Sequence, residues 1–84
     1  MRIKFFHKRV KLDNGTISSN GGTTTAYQID DKLEVHGYAK AWCHNKDHFC
    51  KYKGRVKAEG RLKSPNYYKK LDTPIKQQEF LKTI

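Results

Sequence analysis

The sequence predicts an α+β domain: a three-stranded antiparallel sheet followed by a packing helix and a short C-terminal helix, in the order β-β-β-α-α. Three observations predict it. The first half is β-prone and is cut by two turn signals, Asp13-Asn14-Gly15 and Asp30-Asp31-Lys32. Beyond Asn45 the apolar residues recur at steps of three and four instead of two. With 84 residues the chain fits one small domain, residues 1–84, with a modest core.

Residues 2–12, rich in Ile, Phe and Val between Lys and Arg, form the first predicted strand. Residues 13–22 are polar apart from Ile17 and read as a loop. Residues 23–29 and 33–43 then make a hairpin. Alternation along the third strand sends Leu33, Val35, Gly37, Ala39, Ala41 and Cys43 to a small apolar face, and Glu34, His36, Tyr38, Lys40 and Trp42 to the other. A three-residue loop puts Tyr27 and Ile29 on the apolar side, and a two-residue loop puts them opposite; the first is favoured because it buries Ile29.

A helix is predicted over residues 46–62, capped by Asn45 or Asp47, with a stripe of Phe49, Tyr52, Val56 and Gly60. Gly54 and Gly60 each cost roughly 1 kcal/mol against Ala in a helix, which favours close approach, and Gly60 is expected to seat the helix on Ala39 and Ala41. Residues 66–71 read as a connector. Asp72-Thr73-Pro74 then opens a helix from Pro74 to about Lys82.

Eighteen Lys and Arg stand against eight Asp and Glu, a net charge of +10. Such self-repulsion is relieved by a negatively charged partner: nucleic acid, or an acidic protein. No stretch approaches the ~20 apolar residues of a membrane span, and the N-terminus lacks a signal peptide's apolar segment. Membrane partners are therefore not expected. Two cysteines are too few for a disulfide framework and suit a reducing cytosol.

The chief candidate site is the basic helix. Lys53, Lys57 and Arg61 follow one another at four-residue spacing, with Lys51 and Arg55 elsewhere around it, a pattern suited to phosphates. On the strand, Tyr38, Lys40 and Trp42 alternate aromatic and basic groups, which can stack unpaired bases and hold their backbone, unless the C-terminal helix covers the rings. Cys43, His44, His48 and Cys50 could ligate zinc, but their compressed spacing does not match paired knuckles, so no metal or other cofactor is expected. His44, Asn45, Asp47 and His48 crowd one segment without carboxylates on an opposed one, so the chain is not expected to be a metal-dependent nuclease or another enzyme.

The run from Cys43 to Leu62, with the skeleton Cys-x3-Asp-x-Phe-x-Lys-x2-Gly-Arg-x2-Ala-x-Gly-Arg-Leu, resembles a pattern in small proteins of bacteriophages and mobile elements. The resemblance covers the middle of the chain and implies a phage-type accessory protein working in the host cytoplasm. Its expected partner is DNA or RNA. The alternative is an acidic host protein, such as a defence nuclease, which it would inhibit or modulate. The predicted topology also resembles the sheet-plus-helix DNA-binding domains of some integrases, an analogy of fold alone.

Overall fold

A computed structural model of the chain describes residues Met1–Ile84. The elements run β1 (Arg2–Lys8), β2 (Asn20–Ile29), β3 (Glu34–His48), α1 (Lys51–Leu62), β4 (Lys69–Lys76) and α2 (Gln77–Thr83). The class is α+β, as the sequence predicts, but the sheet has four strands in the order β1-β2-β3-β4, each pairing antiparallel with the next.

One face of the sheet is floored by small residues. Phe5, Ala26 and Ala39 lie across from one another in register, as do His7, Thr24 and Ala41. This floor lets α1 approach closely, and Ala58 and Leu62 pack on Ala26, Ala39 and Ala41 with Phe5 and Tyr68 at the margin. The seated stripe of α1 is therefore Gly54, Ala58 and Leu62. The expected stripe fails: Tyr52 is 66% and Val56 54% exposed, and a Cβ on Gly60 would meet nothing. Gly54 is the close-approach glycine, since a Cβ there would collide with the Thr24 hydroxyl. Small residues won over large ones because the floor leaves no depth for a Tyr or Val.

The other face carries the larger side chains. Tyr27, Ile29, Val35 and Phe80 form its core, flanked by Phe6, Tyr38, Leu71 and Ile75. Ile29 and Tyr27 are buried, but on the side opposite Ala39 and Ala41, contrary to the expected register. The cause is an irregularity at His36: Gln28 faces Gly37, whereas Ile29 faces Val35. One extra residue on β3 switches Val35 to the Tyr38 side. Leu33, expected inside, turns outward at positive φ and is 48% exposed.

Residues 69–76, expected as connector and helix start, instead form β4, which covers the lower edge of β3 from Glu34 to Tyr38. Val35 faces Ile75 and Gly37 faces Lys70, so residues 71–74 bulge out against His36 alone. An edge strand tolerates Pro74, whose missing N–H would interrupt a central ladder. α2 consequently starts at Gln77. Phe80 carries it onto the sheet, and the Tyr27 hydroxyl donates to Gln77 Oε1 at 2.7 Å.

β3 runs on to His48, which pairs with Asn20, so residues 46–48, expected in the helix, are strand instead. Phe49 then anchors the turn: its N–H donates to Ser19 O at 2.8 Å, and its ring packs edge-on to His7 at 5.7 Å. The helix starts only after this anchor. Cys50 is its N-cap, without a side-chain cap bond, so neither Asn45 nor Asp47 has the capping role. No helix is long and apolar enough to cross a membrane.

Candidate nucleic-acid interface

Because Gly54, Ala58 and Leu62 turn α1 towards the sheet, its cations are left on the flanks and the outer surface. Lys51, Lys53, Arg55 and Lys57 are all exposed. Lys53 and Lys57 line a cleft of about 550 Å³ between α1 and the upper part of β3, with Trp42, His44 and His48 opposite. Lys51 and Arg55 lie on the β1 side of the helix, near His7 and Arg9. Partial burial, and then the charges of Lys51, Arg55 and Arg9, lower the His7 pKa below its ordinary 6.5. Its Nδ1 is hydrogen-bonded with the Thr24 hydroxyl at 2.8 Å.

Arg61 has local partners and is separate from this exposed set. Its Nη1 donates to Lys40 O at 3.0 Å, and its guanidinium lies 4.8 Å from the Tyr67 ring centroid and 5.7 Å from that of Trp42. This arrangement fastens the end of α1 to the edge of β3 and holds two aromatic rings beside one cation.

The two strand aromatics part company. Tyr38 is half-buried, with its ring centroid 5.2 Å from that of Phe80, so it joins the second core. Trp42 is 61% exposed. It lines the larger cleft and also a smaller one of about 210 Å³, where Tyr38, Lys40, Tyr67 and Lys69 are its neighbours. Trp42 is thus a ridge between two clefts, each bordered by lysines.

Charge pairing gives these cations their significance. The one ionic contact between side chains is His36 Nε2 to Asp30 Oδ2, at 2.6 Å, so none of the eighteen Lys and Arg has a carboxylate partner. That contact serves the β2–β3 turn: the hydrogen bond with His36, aided by the N–H groups of Glu34 and Lys32, lowers the Asp30 pKa. The acidic groups do not neutralise the basic surface.

Cys43, His44, Asp47, His48 and Cys50 also border the larger cleft, but no group of three or more His, Cys, Asp or Glu side chains is placed to hold a metal ion. The Cys43 thiol instead faces the carbonyl oxygens of Asp47 at 3.5 Å and His48 at 3.6 Å. Both cysteines are free. The Cys50 thiol is held below its ordinary pKa, first by the Lys53 N–H that faces it at the helix start.

No known protein family, curated protein or solved structure matches the chain. The surface must therefore be read from its own chemistry. Reading the sequence alone missed Tyr67 and Lys69, and it counted Arg9 only as an extension of the basic surface along the first strand. Arg9 caps the Phe49 ring, with its guanidinium 4.5 Å from the ring centroid, and donates to Ser18 O at 3.0 Å. Only the tertiary pairing of distant segments brings these residues to the site, and no local pattern signals it.

Proposed function

We propose that this protein is a small, non-enzymatic, phage-type accessory protein that binds nucleic acid in the host cytoplasm. Lys51, Lys53, Arg55 and Lys57 of α1 contact phosphates, while Lys40 and Trp42 add backbone and base contacts from β3. Arg61 and Tyr38 act beneath this surface, Arg61 by holding Trp42 and Tyr67, and Tyr38 by joining the Phe80 core. The observation that carries the reading is that eighteen cations have no intramolecular carboxylate partner, and that four of them are exposed on one short helix. A polyanion supplies the missing charge, and release of its counterions drives binding.

The test is titration of the purified protein, freed of bound nucleic acid, into labelled duplex and single-stranded DNA and RNA from about 50 to about 200 mM salt. Affinity is expected to fall linearly in the logarithm of salt concentration, with a slope that shrinks by ~0.9 for each duplex phosphate that a substitution leaves without its cation. Absence of binding at the lowest salt would refute the reading and redirect the search to an acidic host protein.

A further inference from the structure

Resting on the nucleic-acid reading just given, we infer that the ligand is an unpaired strand, DNA or RNA, which crosses the open upper edge of β3 with one base stacked on Trp42. The pairing of β3 with β4 ends at Tyr38 opposite Lys69. From Lys40 upward, β4 no longer covers the edge of β3. Arg61 occupies the Lys40 carbonyl, so this stretch is partly sealed against a further strand and is presented through its side chains.

Trp42 sits on this stretch with most of its surface exposed, and Arg61 beside it restrains the ring. A restrained, exposed indole offers a π-face at little ordering cost. Bases inside a duplex are already stacked on their neighbours, whereas an unpaired base has a free face for the ring. The lysines are placed for the backbone on either side: Lys53 and Lys57 in the larger cleft, Lys40 and Lys69 in the smaller one. A flexible strand can dip into one cleft, pass over the ridge and enter the other. A straight, stiff duplex cannot follow concave ground on both sides of a ridge.

Trp42 is the sole tryptophan, so its emission reports on this position alone. The experiment titrates the intact protein with oligodeoxythymidylate, oligouridylate and a duplex DNA of equal length, following both affinity and tryptophan emission. Trp42→Ala and Trp42→Tyr are run beside it. Single strands are expected to quench the emission and to bind at least ~tenfold more tightly than the duplex. Trp42→Ala should lose roughly ten- to a hundredfold for single strands and little for the duplex, while Trp42→Tyr should retain most of the affinity.

The two homopolymers separate DNA from RNA as the source of the strand. Duplex binding as tight as single-strand binding, or single-strand binding without a change in emission, overturns the inference while leaving the nucleic-acid reading standing. Failure of all three nucleic acids to bind overturns both.

Discussion

The two faces of the sheet are built on opposite principles. On the α2 face, Tyr27, Ile29, Val35 and Phe80 bury large side chains, and a seven-residue helix is held mainly by one Phe. On the α1 face, alanines make the floor, a twelve-residue helix sits close to it, and five of its residues are basic. Large side chains supply more apolar area per residue, so much of the stability is concentrated under α2. The small-residue face buries less per residue but allows a charged helix to lie flat, leaving its outer surface free. The difference teaches that the large-residue anchor and the exposed basic helix are divided between the two sides.

The sharpest way to break this division is Phe80→Ala. Truncation of a fully buried Phe is expected to cost about 3–5 kcal/mol, a large part of the stability of so small a domain, and thermal or urea unfolding reads it directly. A loss below ~1 kcal/mol would show that α2 is dispensable. Next in size, Gly54→Ala should destabilise by about 1–3 kcal/mol although alanine favours helix, because the added methyl meets the Thr24 hydroxyl. If α1 does not lie close to β2, the same substitution should stabilise, so the sign of the change decides.

The smallest effect concerns His7. Its pKa is depressed in the folded chain, so the unfolded chain takes up a proton first as the pH falls through 6.5. The neutral folded form is therefore favoured above that value, and this contribution is lost on acidification. Melting temperatures recorded between about pH 8 and pH 5 should fall towards acid more in the wild type than in His7→Gln. Identical profiles would remove His7 from beneath the cationic flank.

Several parts of this arrangement were legible in the sequence. Alternation along residues 33–43 rightly put Ala39 and Ala41 beneath a helix, though Leu33 and Val35 left that face and Gly37 lies under Tyr68, and the basic character of residues 51–61 is plain from composition. The seat of the helix was not legible, because periodicity favoured the bulkier Tyr52 and Val56, while an alanine floor selects Gly54 and Ala58. The register of β2 escaped as well, since the bulge at His36 has no local signature. β4 was hidden by Asp72-Thr73-Pro74, which reads as a helix start but forms an edge-strand bulge. At the candidate site, the exposure of Trp42 and the partners of Arg61 depend on where β4 stops, which is a tertiary fact.

The most direct measurement removes equal charge from α1 and from the β4–α2 segment. One variant replaces Lys53, Arg55 and Lys57 of α1 by alanine, and the other replaces Lys70, Lys76 and Lys82 of β4 and α2; all six side chains are exposed. Each variant has three positive charges fewer than the wild type, and all three proteins are titrated with nucleic acid across salt. The α1 variant is predicted to bind far more weakly, with a salt slope reduced by ~0.7–0.9 for each phosphate no longer neutralised, while the other stays close to wild type. Equal weakening in the two variants would mean that net charge alone binds the polyanion, and would contradict a dedicated surface on α1.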